Sequence, residues 1–217
     1  MTHVVMAFDG TDEGAPARRA ASMAAHVAHI GAEAAAGRLQ LGLPLHDEEN
    51  RSQGSLMFVA GDAAARDAYL ATEPFAQTGD WPRVWQRIET HGFRIAPLSY
   101  SPWPPADAPG PTARTHSIII AWDGTDHAAL DRRMAARPRH FARMSPMAED
   151  GTLLLGGALL APDGRMVGSI AITRHTSHDE ARAWLAEDPY VAGDVWRDVT
   201  VYATRLRPLP YAPLPRA

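Results

Sequence analysis

The stretch Ala7-Phe8-Asp9-Gly10-Thr11-Asp12 occurs a second time in this chain, as Ala121-Trp122-Asp123-Gly124-Thr125-Asp126. The shift is 114 residues, and an ungapped alignment of residues 4–72 with the later copy gives 20 identities in 69 positions. Self-similarity at one fixed shift indicates that a structural unit has been duplicated. The 217-residue chain is therefore predicted to contain two copies of one domain.

Copy two shows the order of the elements most clearly. Residues 117–122 form a β-branched apolar run typical of a strand, and Ser177 with Glu180 predicts a capped start of a later helix. Between them, apolar residues at helical spacing predict a first helix that ends at Gly151. The predicted apolar face of that first helix consists of Leu130, Met134, Phe141, Met144 and Ala148. Further strands are predicted at residues 153–155, 168–173 and 199–202.

Strand, helix, two strands, helix and strand make the split βαβ order of a ferredoxin-like unit. Its helices cover only one face of the sheet, and a second copy is the obvious cover for the other face. The predicted fold class is α+β, with two ferredoxin-like βαββαβ units packed as a pseudo-dimer of the dimeric α/β-barrel type. Proline-rich stretches favour semi-rigid spacers over central strands. The predicted limits are domain 1–96, linker 97–115, domain 116–206 and tail 207–217.

Composition excludes several kinds of chemistry. Cysteine is absent and all 21 basic residues are arginine, which rules out disulfides, cysteine-bound metals, lysine Schiff bases and a Walker lysine. A net charge of −4 disfavours general binding to nucleic acid. No apolar run approaches the length of a membrane span, and the first residues do not resemble a leader. We therefore expect a cytoplasmic protein that contacts neither nucleic acid nor membranes.

Three motifs of copy two occur together. They are Arg137-Pro138-Arg139-His140, then Asp150-Gly151-Thr152-Leu153-Leu154-Leu155-Gly156-Gly157, then Asp188-Pro189-Tyr190-Val191-Ala192-Gly193-Asp194-Val195. In this order, over about 90 residues, they resemble the YCII-related (YciI-like) family of small dimeric α/β-barrel proteins. Copy one matches more loosely, because Ala24-Ala25 precedes its histidine where copy two has Pro138-Arg139, and Glu73-Pro74-Phe75 replaces Asp-Pro-Tyr, although His26 is kept.

The resemblance implies a fold and a site. Members of the family are mostly homodimers of single ferredoxin-like domains, so a tandem copy implies a covalent pseudo-dimer. A related dehydrochlorinase acts on a chlorinated hydroxyhydroquinone, with a His/Asp pair as its supposed catalytic centre. Carried onto this sequence, the catalytic pairs are His140 with Asp188 and His26 with Glu73.

The residue chemistry supports such a pair on separate grounds. If Pro138 opens the helix, His140 lies in its first turn, where the helix dipole with Arg137 and Arg139 favours a neutral imidazole that can act as a base. A carboxylate on one ring nitrogen then fixes the tautomer. Two alternatives remain open: Asp188 could serve only as a helix N-cap, and His140 could be a half-buried polar residue without a role.

Other polar residues suggest further roles. Arg133, its counterpart Arg19 and also Arg137 are candidates for holding an anionic or phenolate substrate, with solvated surface arginines as the alternative. Asp9 and Asp123 are predicted to form turns. The pairs His26-His29 and His175-His178 suggest a metal, but no third ligand lies nearby in sequence, so no metal and no cofactor are predicted.

These observations favour a cofactor-independent, His-dependent enzyme of the lyase or isomerase type acting on a small molecule, aromatic ones included. A non-catalytic protein that binds a small ligand is the second hypothesis, and a haem- or metal-dependent oxygenase is the third. An intramolecular pseudo-dimer is expected, and a further homodimer is left open. Copy two should carry most of the function, since Glu73 is longer than Asp188 and copy one lacks counterparts of Arg137 and Arg139.

Overall fold

The computed structural model describes residues 1–77, 82–103, 110 and 113–211. The chain divides into two compact units. Among the described residues, unit 1 comprises residues 1–77, 82–92, 110 and 207–211, and unit 2 comprises residues 93–103 and 113–206. No helix in these described ranges is both long and apolar enough to cross a membrane.

Both units follow the predicted order of strands and helices. The first half of the chain contains β1 (Thr2–Asp9), α1 (Ala15–Ala35), β2 (Leu39–His46), β3 (Ser52–Ala60), α2 (Ala63–Thr72) and β4 (Trp85–Ile95). The second half contains β5 (His116–Asp123), α3 (Ala129–Glu149), β6 (Leu153–Leu160), β7 (Met166–Thr173), α4 (His178–Ala186), a single turn α5 (Pro189–Ala192) and β8 (Trp196–Thr204). The α+β class with two ferredoxin-like units is confirmed.

The strands pair antiparallel, in the same way in both units. In unit 1, β3 pairs with β1 and β2, and in unit 2, β7 pairs with β5 and β6, while β5 also pairs with β8. Even the register repeats, since Gly54 faces Phe8 and Gly168 faces Trp122. A Cβ at Gly54 would lie 2.0 Å from the Ala7 carbonyl oxygen, so this pairing requires glycine.

Each unit has its own hydrophobic core between sheet and helices. The core of unit 1 includes Val5, Met57, Phe75 and Trp85, all fully or almost fully buried. The core of unit 2 is built from inward-facing strand residues and one face of α3 and α4. Its members are Ile119, Ala121, Ala136, Met144, Ala148, Leu153, Ala171, Trp184, Leu185, Tyr190, Val195 and Trp196.

The helix ends follow the local sequence signals. Ser177 and Glu180 form the predicted capping box at the start of α4, each side chain bonding the other's backbone N–H. Gly151 has a φ of +78° just after α3, as expected for the residue that ends a helix.

The start of α3 corrects one prediction. The helix begins at Ala129, where the Asp126 carbonyl accepts from the Ala129 N–H, and Pro138 lies inside it. His140 is therefore in the middle of α3 and not in its first turn, because good helix formers before Pro138 extend the helix backwards. The argument from the helix dipole does not apply to His140, since that effect falls off within the first turn.

The predicted apolar face of α3 is also partly wrong. Leu130 and Met134 are about half exposed, whereas Arg133 and Ala136 face the core together with Met144. A buried arginine therefore replaces an apolar residue on the inward face of the first half of this helix.

The proline-rich segments pack against the units. In the linker strap (residues 97–101), the Tyr100 hydroxyl donates to the Gly156 carbonyl at 2.9 Å and accepts from its N–H at 3.2 Å. In the tail strap (residues 207–211), the Tyr211 hydroxyl bonds the N–H and carbonyl of Gly42 at 3.1 and 3.2 Å. Burial raises the pKa of each tyrosine to about 12. The sequence predicted a spacer at 97–115, but its first residues belong to unit 2, and the domain limits otherwise stay a prediction.

Candidate functional site

The middle of α3 and the start of α5 bring His140 and Asp188 together in unit 2. His140 projects from the middle of α3, and its Nδ1 lies 2.8 Å from Oδ1 of Asp188, which is fully buried. Asp188 is also the N-cap of α5, because the same oxygen accepts from the Tyr190 N–H at 2.8 Å. The two roles considered for Asp188, capping a helix and contacting the histidine, are therefore filled by one side chain.

This contact defines which nitrogen of His140 can act. A carboxylate accepts hydrogen bonds, so Nδ1 of a neutral His140 carries the hydrogen and Nε2 carries the free lone pair. Nε2 has no hydrogen-bond partner among the residues that the structure describes. The geometry is that of an oriented imidazole whose second ring nitrogen is open.

Aromatic rings hold the imidazole in place. The His140 ring stacks on Tyr190 with centroids 3.9 Å apart and planes 9° from parallel. Trp196 meets the same ring edge-on at 5.5 Å. Stacking on one side and an edge contact on another leave the imidazole little rotational freedom, which is what a base needs in order to meet a substrate in one geometry.

A buried ion pair also lies close to Tyr190. Both oxygens of Asp123 accept from Nη1 of Arg133, at 2.7 and 2.8 Å, and Nη2 of Arg133 donates to Ser169 at 3.0 Å. The guanidinium also lies 4.9 Å from the centre of the Tyr190 ring. Burial raises the pKa of Asp123, and the charge of Arg133 opposes that rise.

This ion pair corrects two predictions. Arg133 is not a solvated surface arginine, since only 4% of its side chain is exposed, and its charge is already matched by Asp123. Asp123 does not form the turn; Asp126 does, by accepting from the Ala128 N–H at 3.1 Å. Asp9 likewise pairs with Arg19 at 2.7 Å in unit 1.

A cavity opens beside His140 within unit 2. It encloses about 670 Å³ of unfilled space including its open mouth. Its walls are mostly apolar and aromatic, and its charged or titratable members are three arginines, His140 and Tyr190. The lining residues that matter below are Arg94, Arg133, Arg137, Phe141, Trp184 and Tyr190. Arg137 thus lies where the sequence placed a substrate-binding residue, with its guanidinium 4.3 Å from the centre of the Phe141 ring.

Unit 1 repeats the arrangement with different residues. His26 Nδ1 lies 2.7 Å from Oε1 of Glu73, which also accepts from the Phe75 N–H. The His26 ring stacks on Phe75 at 4.0 Å and meets Trp85 edge-on at 6.0 Å. The longer side chain of Glu73 therefore reaches the imidazole as closely as Asp188 reaches His140.

The second oxygen of the carboxylate has a different partner in each unit. Oε2 of Glu73 accepts from the Tyr69 hydroxyl at 3.1 Å, whereas Oδ2 of Asp188 lies 3.4 Å from the guanidinium of Arg143. In unit 1, His29 occupies the position of Arg143, with Nε2 3.7 Å from Glu73. The acid of unit 2 thus has a permanent cation beside it, and the acid of unit 1 has a phenol and a second imidazole.

The remaining histidines do not assemble a metal site. His178 has Nδ1 at 2.8 Å from Arg114 and Nε2 at 2.9 Å from the Val201 carbonyl, and Nδ1 of His175 lies 2.9 Å from the Thr173 hydroxyl. In the ranges that the structure describes, no group of three potential metal-binding side chains comes together.

Sequence reasoning missed Asp123 and Arg94 as members of this site. A signal for Asp123 was present, because an aspartate precedes an arginine by ten residues in both copies, as Asp9 with Arg19 and Asp123 with Arg133. No such signal marked Arg94, which lies in the stretch assigned to the first domain.

Solved structures of known proteins define the class of this fold. The chain resembles a variant of chlorite dismutase from Candidatus Nitrospira defluvii with a TM-score of 0.58, over 94% of this chain and 90% of that one. At 11% identity this likeness concerns the fold alone. The chain is an α+β protein of the dimeric α/β-barrel class.

Sequence comparison gives the family. Residues 118–205 match the YCII-related domain. Protein YciI of Escherichia coli is 36% identical over 90 residues, which are 39% of this chain and 90% of YciI. The "Derivative of benzaldehyde biosynthesis cluster protein C" of Emericella nidulans is 37% identical over 68 residues, which are 28% of this chain and 69% of that protein. This chain belongs to the YCII-related, or YciI-like, family.

Proposed function

We propose that this protein is a cofactor-independent enzyme of the lyase or isomerase type, with His140 as its base, acting on a small aromatic molecule. The observation that carries the proposal is the oriented imidazole: Nδ1 bonded to buried Asp188, the ring stacked on Tyr190, and Nε2 unpaired beside a cavity. The apolar and aromatic walls suit a flat ring, and the name of the Emericella relative refers to benzaldehyde derivatives.

The chemistry assigned to the pair is a proton transfer. Nε2 of His140 takes a proton from a carbon or hydroxyl of the substrate, and Asp188 stabilises the imidazolium that forms. In an isomerase the same proton returns to another atom of the substrate. In a lyase a leaving group departs with its bonding electron pair, and the imidazolium releases its proton to solvent.

The first half of the chain enters this proposal as a second YCII-like domain. The matched register, the repeated Asp/Arg pair and the stacked His26 beside Glu73 support a tandem duplication. We assign the catalytic roles to His140 and Asp188 and, in the first copy, to His26 and Glu73.

Deuterium exchange tests this function on a panel of compounds and does not require an identified substrate. The protein is incubated in D₂O with substituted hydroquinones and other enolisable aromatic compounds, and NMR follows the loss of C–H signals. We expect protein-dependent exchange for at least one compound, its loss in His140→Ala, and no change in the control His127→Ala, an exposed residue outside the cavity. Exchange that persists in His140→Ala contradicts the proposal.

A non-catalytic binding protein is the second candidate. The largely apolar cavity supports this second candidate equally well, because the same walls could bind a ligand that does not react. Compounds that bind the protein but show no protein-dependent exchange at any position would identify this alternative.

A further inference from the structure

The charged groups of the unit 2 cavity are of one sign. Arg94, Arg133 and Arg137 line it, and no aspartate or glutamate is among its lining residues, all of which lie in the described part of the chain. Arg133 does not contribute a free charge, because Asp123 accepts two hydrogen bonds from it. The excess positive charge therefore resides on Arg94 and Arg137.

Neither of these two arginines has a carboxylate partner among the described residues. The guanidinium face of Arg137 lies over the Phe141 ring. The N–H groups along the edge of the guanidinium therefore remain available for hydrogen bonds. Phe141 in turn lies edge-on to His140 at 5.9 Å. The Phe141 ring thus contacts both the cation and the imidazole on the same stretch of α3.

A glycine on β6 allows Arg94 to reach the cavity. A Cβ at Gly157 would lie 2.5 Å from the Arg94 carbonyl oxygen and 2.3 Å from the Phe93 ring, so only glycine permits this approach. The neighbouring Ala96 N–H donates to the Gly156 carbonyl at 2.8 Å and fixes the segment along β6. Arg94 is thereby held at the rim while its side chain stays exposed.

We infer that the ligand of this cavity is a small planar organic anion, a carboxylate or a phenolate. Its charged group binds between Arg94 and Arg137, and its ring lies against the apolar walls near His140. This inference rests on the proposed function only in placing substrate and base in the same cavity. Guanidinium groups that lack an internal counter-ion attract an anion into an apolar cavity, where charge-assisted hydrogen bonds are stronger than in water.

Calorimetric titration with two anionic probes tests the inference. Benzoate represents carboxylates and 4-nitrophenolate represents phenolates, with benzamide as the neutral counterpart and acetate as an anion without a ring. We expect saturable binding of at least one aromatic anion that weakens with added salt, and weaker binding of benzamide and acetate. Arg94→Met and Arg137→Met should each raise the Kd about tenfold, the scale of one charge-assisted hydrogen bond at a partly exposed site.

Two control variants separate this inference from the proposed function. Arg139→Met, an exposed arginine on the same helix that does not line the cavity, should leave the Kd unchanged. His140→Ala should lose proton exchange but keep anion binding. The inference is overturned if neither aromatic anion binds, if benzamide binds as well as benzoate, or if Arg94→Met and Arg137→Met bind like the native protein. None of these results affects the outcome of the His140 exchange test.

Discussion

At the scale of single residues, the two histidines have nearly the same surroundings although their neighbours along the chain differ. Each stacks on an aromatic ring, meets a tryptophan edge-on and contacts a buried carboxylate at 2.7 or 2.8 Å. The surroundings differ at the second oxygen of each carboxylate. That oxygen lies near the Arg143 guanidinium in Asp188 and accepts from the Tyr69 hydroxyl in Glu73. A guanidinium carries a permanent positive charge, whereas a phenol donates a single hydrogen bond.

The cavity beside His140, which Arg94 and Arg137 line, predicts unequal contributions of the two copies, because copy one has Met23 and Ala25 where copy two has Arg137 and Arg139. We expect His140→Ala to remove most of the proton-exchange activity and His26→Ala to remove less, with a melting temperature within a few degrees for His140→Ala. Both variants are assayed on the same compound, with circular dichroism to follow unfolding. Equal losses would contradict the asymmetry, a larger loss from His26→Ala would reverse it, and failure of His140→Ala to fold would show that His140 is structural.

A histidine outside the site predicts a loss of stability in acid. Burial, with a smaller effect of Arg174, lowers the pKa of His116 from 6.5 to about 4. The unfolded chain takes up this proton near pH 6.5 and the folded chain only near pH 4, so stability is lost as the pH falls through that window. His116→Gln should regain about 1 kcal/mol of unfolding free energy at pH 5, a figure reduced for partial exposure.

Urea titrations of both proteins at neutral and acidic pH check this value. Burial also lowers the pKa of His175, so part of the acid sensitivity should remain in the variant. If His116→Gln and the native protein lose equal stability between the two pH values, His116 does not carry the effect.

The sequence identified the histidines and their acids but not the partners of the arginines. His140 and Asp188 lie in motifs that can be read along the chain, and His26 was found through the repeat. Arg133 was assigned to solvent or substrate because its partner, Asp123, reaches it only when the end of β5 lies beside the first turns of α3. Charge matching of this kind depends on tertiary geometry, which spacing alone does not supply.

At the scale of elements, the order βαββαβ was predictable and the position of α3 was not. Apolar, β-branched runs of residues indicated the strands directly, and the capping box at Ser177 indicated α4. Pro138 was misleading, because a proline is common at a helix start yet here lies inside a helix that begins at Ala129. The packing of the linker strap and the tail strap was also missed, since proline content indicates extended chain without showing what it contacts.

The straps give a prediction about stability. Tyr100→Phe removes the hydroxyl that bonds both the N–H and the carbonyl of Gly156, and should lower the free energy of unfolding by about 1–2 kcal/mol. Tyr211→Phe should cost a similar amount, because its contacts with Gly42 are alike. Ser99→Ala, an exposed change in the linker strap, is the control. If Tyr100→Phe and the native protein unfold at the same midpoint concentration of urea, this contact of the linker strap adds no stability.

At the scale of the whole molecule, the limits of the repeat and the limits of the units differ. Residues 93–96 end the first copy and residues 97–103 follow it, yet both belong to unit 2. Residues 207–211 follow the second copy but belong to unit 1. Leu98 and Tyr100 pack against the core of unit 2, and Leu209 and Tyr211 pack against the core of unit 1. Neither half of the chain thus contains all of the residues that complete its own core.

Separate expression of residues 1–96 and 116–217 should therefore not give two stable monomers. The first fragment lacks the tail strap and the second lacks the linker strap, and each would expose the sheet face that a lone ferredoxin-like unit leaves uncovered. We expect aggregation or homodimers by size-exclusion chromatography with light scattering. Two monomers that unfold cooperatively would contradict this expectation.

The tail strap also sets the time at which the first unit can finish folding in the cell. Tyr211 meets Gly42 across 169 residues of sequence. At ribosomal speeds of about 5–20 residues per second, roughly 10–30 s pass between synthesis of the strand and synthesis of the segment that covers it. Throughout that interval Gly42 of β2 lacks the hydroxyl that bonds its N–H and carbonyl in the finished protein. A chain truncated before Tyr211 would therefore be incompletely packed at β2, near its N-terminal end.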